Sequence, residues 1–290
     1  MQRLRLLSEI FAIDLCAYAV MSNHYHLVLH VDRQRAAQWS KEEVVQRWIR
    51  LFSRPPIIER WQNGVITTTE RAIAEERIEC WRQRLIDVSW YMRTLNEHLA
   101  RRANAEDECT GRFWEGRFKS QALLDEAGLL TAMVYVDLNP VRAGAAATPE
   151  DSEFTSIYAR IQQHTSQPQT RLDISKAPKH RVCLNTPPLL AFGGGTAPSL
   201  PMRFEDYLQL VDWTGRMTHP DKRGAIQASL PSILVRLRID PNAWQMAMRV
   251  GGNPFGRALG RLERLRSHAQ QLGQSWIRGL QAAQRLYCGM

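Results

Sequence analysis

The chain has 290 residues, 44% of them hydrophobic and 23% charged, the composition of an ordinary globular protein with room for one large core or two modest ones. No apolar run in it approaches the roughly 18 residues needed to span a bilayer, which excludes a membrane-crossing helix. The formal net charge is +9 and the isoelectric point about 9.7, a balance that fits a polyanionic partner such as nucleic acid.

Met1 leads into Gln2, Arg3, Leu4 and Arg5, which reads as a helix start and not as a cleavable signal, so a cytoplasmic protein is expected. Leu4, Leu7, Ile10 and Phe11 fall at helical spacing and predict a helix over Arg3 to Phe11. Asp14 to Met21 reads as a buried strand and Ser22-Asn23 as a tight turn. His24 to Val31 then alternates as the second arm of a hairpin. Gln38 to Phe52 predicts a helix stopped by Pro55-Pro56. Helices are also expected over Thr69 to Leu85 and Asp87 to Asn104, the latter with Trp90, Tyr91, Leu95 and Leu99 inward. Glu106-Asp107-Glu108 belongs to a loop. Arg117 to Leu124 reads as a strand and Asp125 to Leu138 as a helix with Asp125 as its N-cap. Pro140 is expected to end that helix, because the residue before a proline avoids helical backbone.

Proline, serine, threonine and glycine crowd residues 164–203, including Gly193-Gly194-Gly195, and predict a linker or loosely ordered segment. Residues 204–290 read as a helical, basic C-terminal region. From Arg236 onward nine arginines face only Asp240 and Glu263. Such a tail suits a nucleic-acid backbone, although a solvated helical face carries the same charge. The five cysteines, Cys16, Cys80, Cys109, Cys183 and Cys288, are odd in number and lack any Cys-x-x-Cys pair, so reduced, mostly buried thiols are expected.

Two groups of residues carry candidate chemistry. His24 and His26 stand two apart on a predicted strand and so project from one face, while Tyr25 and Leu27 are expected to turn toward the core. Two neighbouring imidazoles can grip one divalent cation; a chance pair of polar strand residues on a solvent face is the alternative. His30 shares their parity but lies roughly 13 Å from His26 at strand rise, which suits a structural or surface residue. The second group sits on the helix that Asp125 opens. Thr131, Tyr135 and Asn139 fall four apart on one face, opposite an apolar stripe of Leu130, Met133, Val134 and Leu138. A phenol there can attack a phosphate and hold it as a covalent ester, with a nearby cation favouring the phenolate. Tyrosine and asparagine at this spacing also occur in purely structural helices.

Three segments together resemble a known family. Met21-Ser22-Asn23-His24-Tyr25-His26-Leu27-Val28-Leu29 resembles the signature of HUH-type single-tyrosine transposases. Gly111-Arg112-Phe113-Trp114-Glu115-Gly116-Arg117-Phe118-Lys119 resembles the stretch leading into that family's fourth core strand. Tyr135-Val136-Asp137-Leu138-Asn139-Pro140-Val141-Arg142-Ala143-Gly144 resembles the tyrosine helix of its REP-associated branch. The similarity covers roughly residues 3–160.

The resemblance implies an α+β fold, a ferredoxin-like antiparallel sheet with helices, in a catalytic domain over 1–163. It implies His24 and His26 as ligands of a magnesium or manganese ion, with Asn139 as a third ligand where many relatives carry glutamine. It implies Tyr135 as the nucleophile that cleaves single-stranded or hairpin DNA, leaving a 5′-phosphotyrosine and a free 3′-OH, and that rejoins strands by the reverse attack. The family core opens with a strand before its first helix, whereas this chain begins within that helix, so the first strand is expected to be missing. Arg112, Arg117, Lys119 and Arg142 are the expected phosphate contacts. Trp114 is a candidate for stacking on unpaired bases, and Phe118 is expected in the core. The tail around Arg257, Arg261, Arg264 and Arg266 is expected to grip a hairpin stem. The chain would act as a monomer or homodimer. A truncated or domesticated DNA-binding protein without catalysis, a water-using metal phosphodiesterase, and a relaxase or replication initiator are the competing readings.

Overall fold

The computed structural model describes residues 1–165, 186–193, 198–218, 231–249 and 256–287. It is a mixed α+β chain in which helices dominate. Among the described residues it holds one antiparallel strand pair and a second, very short, parallel pair, and no helix long and apolar enough to cross a membrane. The chain divides into two compact units: residues 1–15, 29–118 and 183–188 form one, and residues 16–28, 119–182 and 189–290 the other. The hairpin tip and the tyrosine helix group with the C-terminal helices.

In the first unit α1 (Gln2–Ile10) turns Leu4, Leu7 and Ile10 inward and packs on α6 (Val88–Glu106), where Phe11 meets Tyr91 edge to face at 5.3 Å. Between them run α2 (Arg33–Gln38), α3 (Lys41–Ile49), α4 (Pro56–Gln62) and α5 (Thr68–Arg84). Capping boxes fix where α3 and α5 start: Ser40 with Glu43, and Thr67 with Glu70, each satisfying otherwise orphaned backbone N–H groups. The stacked indoles of Trp48 and Trp81, 5.0 Å apart and 7° from parallel, hold α3 to α5. The helix expected from Gln38 to Phe52 is the shorter α3, opened by the Ser40 cap, and a separate helix capped by Asp32, α2, precedes it. Pro55-Pro56 does more than stop α3: Pro56 opens α4, where its missing N–H costs no intrahelical bond.

The strands β1 (Ile13–Val20) and β2 (Tyr25–Val31) pair across the Ser22-Asn23 turn, which the Met21 N–H to His24 carbonyl bond closes at 2.9 Å. The free edge of β1 takes an isolated antiparallel bridge from Thr155. The strand expected from Arg117 to Leu124 shrinks to β3 (Ala122–Leu123), which pairs in parallel with β4 (Ala258–Leu259). Its first five residues have no strand partner among the described residues, and Phe118, expected inside, is 36% exposed.

Asp125 caps α7 (Glu126–Asp137) as expected, accepting from the Gly128 N–H at 2.8 Å. Its second oxygen accepts from the Arg261 N–H at 2.7 Å, so one carboxylate ties the start of α7 to the second residue beyond β4. Gly128 is required there: a Cβ on it would lie 2.5 Å from the Leu259 carbonyl oxygen. Pro140 does not simply end the run. α7 stops at Asp137, and Asn139 to Arg142 form a further short helix, α8, with the proline in its first turn.

One hydrophobic core serves this second unit. It joins Cys16, Ala17, Ala19 and Val28 of the hairpin and the inner side of α7 to α9 (Ser156–Thr165), α10 (Phe204–Thr218), α11 (Ser232–Arg236), α12 (Pro241–Arg249), α13 (Leu262–Gln271) and α14 (Leu280–Tyr287). Of the expected 164–203 linker, residues 166–185 and 194–197 lie outside the described residues. The remainder is packed: Leu200 and Met202 are buried, and Phe192 and Leu200 form a parallel bridge. Cys16 is buried while Cys80 and Cys109 are exposed, none of the three in a disulfide; Cys183 and Cys288 lie outside the described residues.

Candidate active site

The second unit brings four of the sequence-selected residues together. His24 and His26 face each other with ring centroids 5.1 Å apart and planes at 82°. His26 in turn stands edge-on to Tyr135, 6.0 Å between centroids at 87°. The guanidinium carbon of Arg142 lies 4.1 Å from the centroid of the same tyrosine ring. Strand geometry and helix geometry explain the convergence separately. The period of β2 puts both histidines on one side, and the turn from α7 into α8 brings Arg142 back over a residue seven positions earlier.

The side chosen differs from the one expected. Val28, of the same parity as the histidines, is the buried residue of β2 at 4% exposure, while Tyr25 and Leu27 are only half-buried. The histidine face is therefore the one that carries the second unit's core, and it becomes more exposed toward the turn: His26 is half-buried and His24 exposed.

Burial first, and then the neighbouring His24 and Arg142, hold the His26 imidazole below the ordinary histidine value. A neutral ring keeps a lone pair available for a cation or a proton. The Nδ1 of His24 is bonded to the side-chain oxygen of Asn23 at 2.6 Å. Because that oxygen can only accept, the bond places a proton on Nδ1 and leaves Nε2 as the nitrogen open to a further partner.

The face of α7 that carries Tyr135 is less polar in its setting than expected. Tyr135 is half-buried, but Thr131 is 3% exposed; its hydroxyl donates to the Ala127 carbonyl at 2.7 Å and lies 2.9 Å from the Tyr287 hydroxyl. Helix α14 covers it. Asn139, one turn beyond Tyr135, is buried at 8%.

Asp137, two residues from Tyr135, is a member of the site's support that periodicity did not single out. It is fully buried and accepts from the Ser156 hydroxyl, the Ile157 N–H at 2.9 Å and the Tyr207 hydroxyl. Burial pushes its carboxyl above the usual carboxylate value, against the pull of those donors and of Arg160. Arg160 is itself depressed by burial and donates to the Cys16 and Leu190 carbonyls, at 2.9 Å each. Through these bonds the end of the tyrosine helix is fixed to α9, α10 and β1. The only sequence signal was an acidic residue within an otherwise apolar helix.

The other candidates sit elsewhere. Arg112, Trp114 and Arg117 belong to the irregular segment after α6, in the first unit. Arg112 donates to the Trp114 carbonyl at 3.0 Å, and the half-buried Trp114 indole donates to the Asn96 carbonyl at 3.0 Å. Arg117 is exposed, as is Lys119, which falls in the second unit. Arg257 and Arg261 precede α13, so they do not continue a helical stripe with Arg264 and Arg266.

Among the described residues no three His, Cys, Asp or Glu side chains gather in a way that could hold a metal ion, so a cation at this place would have two imidazoles as its nitrogen ligands and need oxygen donors for the rest. No family model, curated protein or solved structure was found to match the chain.

Proposed function

We propose that the chain is a single-tyrosine HUH-type transposase that cuts and rejoins single-stranded or hairpin DNA, and that its hairpin and α7 belong to a ferredoxin-like core. The observation that carries this reading is the contact of His26 with Tyr135: a phenol 6.0 Å from one of two adjoining imidazoles is the pairing that covalent phosphoryl transfer needs, a nucleophile beside a cation site. The resemblance of the three sequence segments supports it.

A divalent ion such as magnesium or manganese is the proposed cofactor, and with two imidazoles on its site it needs oxygen donors besides. His24 through Nε2 and His26 as a neutral imidazole would hold it, with Asn139 the proposed oxygen ligand. When bound, it supplies Lewis-acid polarisation of the scissile phosphate and charge stabilisation in the transition state. The protein does the rest. Tyr135 presents its hydroxyl on a half-buried ring that His26 and Arg142 flank, which limits its rotamers and lowers the entropy of attack. The phenolic oxygen forms the new bond to phosphorus and releases its proton to solvent. The 3′ oxygen leaves with the electron pair of the broken bond and takes a proton. Arg142 offers its guanidinium to the phosphate oxygens. Lys119, Arg112, Arg117 and Trp114 are proposed as contacts along the strand, and the basic C-terminal region as a holder of the hairpin stem.

A labelled hairpin oligonucleotide incubated with the chain and magnesium or manganese tests the proposal. A protein–DNA adduct that survives denaturation and is lost in Tyr135→Phe is expected. Cleavage that persists in Tyr135→Phe would make the chain a water-using phosphodiesterase. Binding with no adduct would make it a non-catalytic DNA-binding protein.

A further inference from the structure

The same unit carries a further cationic surface that has an aromatic side chain standing open; one of its cations, Lys119, closes the second of the sequence motifs. In the loop between α13 and α14, Ile277 is 7% exposed and anchors the segment, while its neighbour Trp276 is 65% exposed. A tryptophan presenting most of its surface to water loses the hydrophobic stabilisation that burial would give it, so an open indole is more telling than an open leucine. Arg278, on the other side of Ile277, is exposed too. The backbone of Gly256 presses against Arg278 so closely that a Cβ there would lie 2.9 Å from the arginine's own Cβ. Arg257, exposed, follows directly in the chain. The chain before β3 joins the same place: the Gln121 side chain donates to the Gly256 carbonyl at 3.1 Å and the Ala122 N–H to the Arg257 carbonyl at 2.9 Å. Lys119, exposed, is two residues away. These contacts bring together the three stretches that carry Lys119, Arg257 and Arg278, all exposed, with the open indole of Trp276 two positions from Arg278. The surrounding sequence adds to the field: residues 256–287 hold six arginines against Glu263 alone.

We infer that Trp276 with Arg257, Arg278 and Lys119 forms a binding surface for an unpaired DNA strand, one base stacking on the indole and the cations taking adjacent phosphates. A duplex hides its base faces, so a stacking indole selects the single strand, whereas the cations alone would take either. The choice of DNA rests on the transposase reading; the geometry of the surface does not.

The test measures equilibrium binding of a fluorescent, non-palindromic DNA strand of about 20 nucleotides to the full chain carrying Tyr135→Phe, so that no covalent product forms. Trp276→Ala should weaken binding roughly tenfold or more, as loss of one stacked base does, and Trp276→Phe should restore most of it. A blunt duplex should bind both chains equally. Arg257→Gln with Arg278→Gln should weaken both DNAs and flatten the salt dependence of single-strand binding by about 0.7 per cation removed. Circular dichroism of Trp276→Ala should match the parent, since the side chain supports little of the core. Unchanged single-strand affinity in Trp276→Ala, or an equal loss on the duplex, overturns the inference. So does tighter binding of the same sequence as RNA, or Trp276-dependent capture of anionic vesicles with no effect on DNA. Failure of the adduct assay would remove the transposase and leave this binding result standing, and the reverse also holds.

Discussion

The imidazole of His26 meets the ring of Tyr135 edge to face, with centroids 6.0 Å apart and planes at 87°. One residue comes from the second arm of a hairpin and the other from a helix that begins about a hundred positions later, so only the packing of β2 against α7 creates the pair. His26→Ala should therefore lower the rate of adduct formation by two or more orders of magnitude, because a lost ligand removes several kcal/mol of charge stabilisation. His24→Ala should do the same, and EDTA should reproduce both. Single-turnover gels with the labelled hairpin check this; a His26→Ala chain that forms adduct at the parental rate would remove the histidine from the chemistry.

His26 also makes a prediction that needs no DNA. Its folded-state proton affinity is lowered by burial, by His24 and by Arg142, while in the unfolded chain it takes a proton near 6.5. The neutral ring thus contributes stability that is complete above 6.5 and is lost as pH falls through the lower folded-state value. An NMR titration of the ring protons should give a midpoint for His26 below 6.5, and substituting Arg142→Gln should move it upward. A midpoint at or above 6.5 in the metal-free chain would contradict the environment described.

The buried carboxylate of Asp137 holds the end of α7 by accepting from Ser156, Ile157 and Tyr207. Asp137→Ala strands those donors and leaves the buried Arg160 without its nearby negative charge, a loss of about 3–5 kcal/mol. Tyr207→Phe removes one bond to the carboxylate and should cost about 1–3 kcal/mol. Urea unfolding measures both. A loss under about 0.5 kcal/mol in Asp137→Ala, the range of ordinary surface substitutions, would show that the network carries no weight.

The hairpin and the start of α7 were legible because their signals are local. Ser22-Asn23 marks a turn, β2 alternates, and Asp125 caps a helix with its own side chain. What the sequence hid depends on partners far along the chain. Thr131 looked like a polar neighbour of Tyr135 and is covered by α14 through Tyr287. Asp137 gives no periodic signal and is bound by α10 through Tyr207. Arg117 to Leu124 reads as a strand, yet among the described residues only Ala122 and Leu123 pair as one, with β4. No window of neighbouring residues reports which distant helix will cover a face. The candidate site was readable as two motifs, and their distance from each other was not.

That dependence on distant segments is sharpest at Gly128. Its Cα lies so near β4 that an added Cβ would be 2.5 Å from the Leu259 carbonyl oxygen and 2.9 Å from the Leu259 carbonyl carbon, both backbone atoms that cannot swing aside. In an isolated helix alanine would be the better residue by up to about 1 kcal/mol. Gly128→Ala should nevertheless destabilise the protein, by about 1–3 kcal/mol, since α7 must move away from Leu259 and loosen the bonds from Ala122 and Leu124 to β4. Thermal unfolding decides between the two signs. A lower melting temperature, together with faster amide exchange at Leu124, means that β4 clamps the tyrosine helix. A higher one means that helix propensity governs and the clamp is slack.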